Sequence, residues 1–157
     1  MRNFADLVRI PAPEKRPVDL LRLVKNVTDL MQLKAGEKKV NFLYERDSLA
    51  LMIQADHQQM EQVLINIIKN ALEAIEAEGI ITILIRDAYP KHLIIRDTGT
   101  GILPEMEEHL FSPFYSTKKD GQGVGLTVIK EILLNHQFGF TLRTPAPGRT
   151  EFKIVFE

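Results

Sequence analysis

Apolar residues along this chain recur with two different periods, and their alternation lays out a mixed α/β domain. Leu20, Leu21, Val24, Val27, Leu30 and Met31 keep the three-and-four spacing of one helical face. With Pro17 suited to a first helical turn, the pattern predicts a helix over 18–33. Two strand-length runs follow at 40–44 and 49–54, separated by the turn-like Arg46-Asp47-Ser48. The strongest helical pattern occupies 56–78, opened by Asp56 as N-cap and closed by Gly79. Strands are predicted at 80–87 and 92–96, then a short helix near Glu105 and a polar, glycine-bearing lid at 111–122. A helix at 123–135 precedes two last strands, 138–143 and 151–156, joined through Pro145, Pro147 and Gly148. Ahead of these elements, Phe4, Leu7 and Val8 have helical spacing that runs into Pro11, Pro13 and Pro17, as expected of the end of a longer helix and a linker.

Composition narrows the classes of function. A chain of 157 residues fits one domain large enough to bury a sheet-sized core without staples. Its 20 Lys and Arg balance 21 Asp and Glu, so no broad field for nucleic acid or a membrane surface is implied. There is no cysteine, which excludes disulfides, thiolate metal sites and thiol nucleophiles, and permits a reducing cytosol. The longest apolar runs, such as 80–85, are strand-length and far short of the roughly 20 residues that span a bilayer. Charges recur through the first 20 residues, unlike a signal peptide.

Three segments carry candidate chemistry. At about 100° per residue, Gln59, Gln62, Asn66, Lys69, Asn70 and Glu73 share one stripe of the central helix, opposite Met60, Leu64, Ile68, Ala71 and Ile75. Polar stripes are ordinarily solvated faces built from Lys and Glu. Two Asn residues at i and i+4 in mid-helix are poor helix formers and need another reason. A neutral carboxamide oxygen suits magnesium that already carries phosphate oxygens, which makes Asn70 the candidate ligand. Asp97 ends a predicted strand and is followed by Gly99 and Gly101. A carboxylate held there could accept from an exocyclic base amine while the chain turns past the ring, or could simply belong to a turn. Gly121, Gly123 and Gly125 alternate into a helix start, where free amides favour an anion, although a hinge has the same composition. Ser116, Thr117, Lys118 and Lys119 just upstream add hydroxyls and positive charge. Neither a Walker loop nor a dinucleotide fingerprint is present.

In order and spacing these segments resemble the ATP-binding catalytic domain of sensor histidine kinases, similar to the nitrogen-regulation sensor class, within the wider gyrase, chaperone, kinase and mismatch-repair ATPase superfamily. The resemblance covers about residues 18–157. Gln62-Val-Leu-Ile-Asn66-Ile-Ile-Lys69-Asn70-Ala looks like the family's asparagine box, and Asp97-Thr-Gly99-Thr-Gly101-Ile102 like its first glycine box. Phe111-Ser-Pro-Phe114-Tyr-Ser116-Thr117-Lys118 is similar to the phenylalanine box, and Gly121-Gln-Gly123-Val124-Gly125-Leu126 to the second glycine box. Gly148-Arg-Thr150-Glu-Phe152 matches the last adenine-side motif, which implies a role for Thr150. The resemblance implies that these boxes bind ATP: Asn70 holds magnesium, Asp97 meets adenine, and Lys118 with the amides around Gly123 and Gly125 holds phosphates under a closing lid. It also implies a two-layer α/β sandwich of the Bergerat type, a mixed and mainly antiparallel sheet covered on one face by about three helices.

Residues 1–17 look like the end of a dimerisation helix plus linker. None of His57, His92, His109 and His136 has the context of a phosphoacceptor, and each reads as an incidental surface or helix-end histidine. The expected acceptor therefore sits on a separate dimerisation and phosphotransfer domain, with a response regulator as the later partner and the cytoplasm as the place of action. Two positions depart from the family pattern. Glu73 stands where a basic residue is frequent, so a phosphate contact has to come from elsewhere, with Lys69 a candidate. His136-Gln-Phe-Gly139 replaces the usual His-Gly-Gly. Hydrolytic superfamily members carry a water-activating Glu four residues before the magnesium Asn, where this chain has Asn66. That favours phosphoryl transfer over one rival, a gyrase-type or mismatch-repair-type hydrolase, while the intact boxes argue against the other, a nucleotide-responsive binding module.

Overall fold

A computed structural model describes residues 9–107, 109–111 and 125–157. Alternation in the strands builds its centre. In β4 (Gly79–Arg86), β5 (His92–Asp97), β6 (Gly139–Ala146) and β7 (Arg149–Val155), every second residue faces the helices. The resulting rows are Ile83, Ile95, Phe152 and Leu142, then Ile85, Leu93, Ile154 and Phe140. With β2 (Val40–Arg46) the sheet has the order β2-β4-β5-β7-β6, with β2 parallel to β4 and the remaining pairs antiparallel. On the opposite face, Arg96 Nε donates to Glu151 Oε2 at 2.7 Å and Arg149 Nε to the same oxygen at 3.1 Å. One face is therefore a core and the other is largely polar.

Among the described residues three helices cover the apolar face: α1 (Leu20–Glu37), α2 (His57–Ala74) and, after the short α3 (Pro104–Glu107), α4 (Gly125–Asn135). Helix α2 contributes Met60, Val63, Leu64, Ile67, Ile68, Ala71 and Leu72 to the buried cluster, and α4 adds Ile129, Ile132 and Leu133. This is the expected two-layer sandwich. Among the described residues no helix is long and apolar enough to cross a membrane.

Local departures have physical causes. Pro17 does not open a helix. It lies in β1 (Arg16–Asp19), which pairs antiparallel with β3 (Met52–Ala55) as a two-stranded ribbon outside the main sheet. Asp19 caps α1 instead, its carboxylate accepting from the Leu21 N–H at 3.1 Å, because a side-chain acceptor serves the orphan amides and Pro cannot. Helix α2 stops at Ala74, short of Glu78, and Ile75 is already extended. Its last carbonyls are taken by remote groups: Lys38 Nζ donates to Leu72 O at 2.7 Å and Ile75 O at 2.8 Å, and Thr100 N–H to Ala74 O at 3.0 Å. Gly79 thus begins β4 and does not cap the helix.

At the other end of α2, Asp56 is the N-cap that the sequence predicts and also a junction. Its carboxylate accepts from the Gln59 N–H at 3.1 Å and from the Glu14 N–H at 3.0 Å, while Gln59 Nε2 donates to Pro11 O at 3.0 Å. The Asp56 N–H donates to Nε2 of His136, at 3.0 Å, and the Nδ1–H of that ring reaches Ile132 O at 2.8 Å. His136 is 2% exposed. It stands at a helix end, as expected, but is not incidental: it fastens the end of α4 to the start of α2. Burial holds the imidazole below its ordinary pKa, in the neutral form that alone can accept the Asp56 N–H.

Candidate functional site

The inner row of the sheet that begins at Ile81 ends in two polar residues, Asp97 on β5 and Thr150 directly opposite on β7. They are 5% and 6% exposed. Burial pushes the Asp97 carboxyl up to about 6, and the Gly99 N–H, donating to its Oδ1 at 2.8 Å, pulls the other way. A carboxylate kept in apolar surroundings with one internal donor retains lone pairs for an incoming N–H group.

The loop after Asp97 is held by close approach. A Cβ on Gly99 would lie 2.6 Å from the carbonyl oxygen of Ala74, so only glycine lets the loop press onto the end of α2. Gly101 has φ +86°, the left-handed region, and its free side lies against the Thr144 methyl. The Ile102 N–H then donates to Thr144 Oγ1 at 2.8 Å, and the Thr144 and Thr150 hydroxyls are 2.9 Å apart. The first glycine segment thereby joins α2, β5, β6 and β7 around Asp97.

Along α2, the polar stripe is not uniformly solvated. Asn66 and Asn70 are half-buried, whereas Gln62, Lys69 and Glu73 are exposed. Lys69 and Glu73 line a groove of about 210 Å3 with Met31, Lys34, Glu37, Lys38 and Leu72, against the end of α1. Phe111 is half-buried and meets Phe140 and Phe152 edge-on, with ring centroids 5.3 and 6.2 Å apart, so the described start of the phenylalanine segment is anchored on the sheet. Gly125 opens α4 and is exposed, while Leu126 packs against the core. Ser116, Thr117, Lys118, Gly121, Gly123 and Val124 lie outside the described residues. Asp97, Gly99, Gly101, Ile102 and Thr150 are brought together at one end of the sheet, next to the end of the helix that carries Asn66 and Asn70. Sequence reasoning missed Thr144, for which the pattern held no signal beyond its neighbouring Pro145.

A metal fits this site only on particular terms. Among the described residues no group of three or more His, Cys, Asp or Glu could hold one. A carboxamide such as Asn70 offers one neutral oxygen, which suits a hard cation that brings most of its ligands with it.

Residues 55–157 match the family model described as histidine kinase-, DNA gyrase B- and HSP90-like ATPase. The chain is 32% identical over 150 residues to the sensor histidine kinase ZraS of Klebsiella oxytoca, covering 94% of this chain and 32% of that protein. It is 35% identical over 144 residues to the sensory histidine kinase/phosphatase NtrB of Proteus hauseri, covering 84% of this chain and 41% of that protein. The chain thus spans well under half the length of these curated relatives. Among solved structures it is similar to the catalytic domain of histidine kinase ThkA, with a TM-score of 0.83 and 30% identity over 91% of this chain and 95% of that one. The same kinase in complex with the response regulator protein TrrA gives a TM-score of 0.78 and 29% identity, over 92% of this chain and 42% of that one. With a family model matching well over half of its residues, and with the sandwich and the buried aspartate-glycine corner in place, this chain belongs to the histidine kinase-, DNA gyrase B- and HSP90-like ATPase family.

Proposed function

We propose that this chain is the catalytic domain of a sensor histidine kinase, which binds magnesium-ATP and donates its γ-phosphoryl group to a histidine on a separate dimerisation domain. The observation that carries the reading is the buried Asp97 beside Thr150, with its glycine loop pressed against the end of the asparagine helix. Asp97 accepts from the exocyclic amine of adenine, and Thr150 faces the same base edge. Gly99, Gly101 and Ile102 let the backbone pass close to the ring. Asn66 and Asn70 face the phosphates, with Asn70 as the magnesium ligand. Lys69 gains a phosphate only by swinging away from the α1 side, where its groove lies. Lys118, Ser116, Thr117 and the amides of Gly121, Gly123, Val124 and Gly125 complete the phosphate side, with Phe111 and Leu126 as its apolar supports. Magnesium supplies charge neutralisation on the phosphates when bound. The protein's own contribution is to position the nucleotide, since Asn66 offers no carboxylate to activate water.

In this reading residues 1–17 are the end of the dimerisation helix and linker, of which Arg16 and Pro17 already pair with β3, residues 18–157 are the catalytic domain, and the work is done in the cytoplasm. A response regulator then takes the phosphoryl group onto an aspartate, a partner class supported by the ThkA complex. The test mixes the purified chain with a separate dimerisation and phosphotransfer domain and γ-labelled ATP. Label is expected on that domain's histidine, lost with Asn70→Ala, with little phosphate released by the chain alone. Rapid magnesium-dependent phosphate release would point to a hydrolase, and bound ATP without transfer would sink the kinase reading.

A further inference from the structure

We infer that Thr144 is a positioning residue of the base pocket, which fixes the direction of hydrogen bonding through Thr150 and so makes the site select adenine over guanine. The inference rests on the reading of Asp97 as the base acceptor. It starts from a fault in the sheet. Arg143 pairs with Glu151 and Ala146 with Arg149, so Thr144 and Pro145 together oppose the single residue Thr150. Pro145 has no N–H to give to the ladder, and an extra residue at that point makes a bulge. Thr144 keeps the inward alternation of Phe140 and Leu142, just before the ladder slips. Its Oγ1 takes the Ile102 N–H at 2.8 Å and lies 2.9 Å from Thr150 Oγ1, while its methyl fills the space beside Gly101.

Donor and acceptor counting leaves the Thr144–Thr150 bond two directions, of which donation by Thr144 gives its own proton an acceptor. A threonine hydroxyl has one proton and two lone pairs. The Ile102 amide occupies one lone pair of Thr144 and cannot reverse, being a donor only. If Thr144 gives its own proton to Thr150, the Thr150 proton is released toward the base, beside the acceptor Asp97 across the strand pair. The pocket then presents a donor next to an acceptor. Adenine offers the matching ring nitrogen and amine, whereas guanine offers an N–H and a carbonyl oxygen, the reverse pattern on the same edge. Without the Thr144 hydroxyl, Thr150 is a free rotor that serves either base.

The test measures ATP and GTP affinity by equilibrium titration for the wild-type chain, T144V and T144S, together with hydrogen exchange at the Ile102 amide in the nucleotide-free protein. T144V keeps the shape and removes the hydroxyl; T144S keeps the hydroxyl. The wild type is expected to prefer ATP. T144V should lose about tenfold in ATP affinity, narrow the ATP-to-GTP ratio and speed exchange at Ile102, with T144S close to wild type in selectivity. T144A replaces T144V if the latter does not fold, with the same expectation. An unchanged ATP-to-GTP ratio in T144V, or an equal loss in T144S, overturns the role given to the hydroxyl. A wild-type chain that binds ATP and GTP alike overturns the base-site reading itself, and with it the selectivity.

Discussion

Replacing Asp97 by Asn separates what this carboxylate does to the fold from what it does for a ligand. Burial raises its pKa from 3.8 to about 6, against the pull of one backbone donor. At about 1.4 kcal/mol for each tenfold change in proton affinity, holding the group ionised at neutral pH costs roughly 3 kcal/mol of folding free energy. Because the folded value is raised, the folded protein holds the proton more tightly than the unfolded chain. Wild-type stability therefore falls as pH rises from about 4 to about 6, and the full handicap is present at pH 7. Asn is close to isosteric and retains an oxygen for the Gly99 N–H, so the turn survives while the charge does not. D97N is expected to be the more stable protein by up to roughly 3 kcal/mol at pH 7, and equal to wild type near pH 4 and below. Urea unfolding at several pH values between 4 and 8 measures the difference directly. ATP binding should weaken by a factor on the order of 10 to 100, the loss of one charge-assisted hydrogen bond. A D97N protein less stable than wild type at pH 7, or a stability difference that does not change with pH, would refute the argument from burial.

Gly99→Ala puts a methyl 2.6 Å from the Ala74 carbonyl oxygen and 2.9 Å from its Cβ, so the loop must lift from α2. A loss of about 1–3 kcal/mol in denaturant unfolding is expected, with weaker ATP binding; unchanged values of both would show that the close approach is not required. His136→Phe leaves the Asp56 N–H unpaired and should lower stability by about 1–3 kcal/mol at pH 7 to 8. The folded imidazole has a depressed pKa, so its contribution is complete above the unfolded value near 6.5 and is lost as pH falls below it, as the unfolded chain takes up the proton first. Lys15 and Asp56 are the charged groups acting on the ring, in opposite senses. The stability gap between wild type and H136F should therefore narrow between pH 6.5 and 5, and a constant gap across that range would count against a neutral acceptor.

The sequence by itself determined the helices and the strands of the central sheet, because amphipathic spacing and capping are short-range properties written into consecutive residues. Asp56 as the N-cap of α2, the inward face from Met60 to Ile75 and the placement of Asp97 at a strand end were all legible in this way. The order of the boxes likewise pointed to the family. Only the tertiary structure decided where α2 stops, since its last carbonyls are taken by Lys38 and Thr100, groups with no local signature. Pro17 in a strand follows from the same cause: its partner is Gln54, which periodicity around residue 17 cannot reveal. The polar stripe of α2 read as one face, yet packing separated it into half-buried Asn66 and Asn70 and an exposed Lys69 and Glu73 turned to the end of α1. His136 and Thr144 acquire their roles from amides 80 and 42 residues away. Hydrogen bonds of that kind depend on which elements the core brings side by side, and the pattern along a chain records the core-facing positions without recording which polar groups meet at its rim.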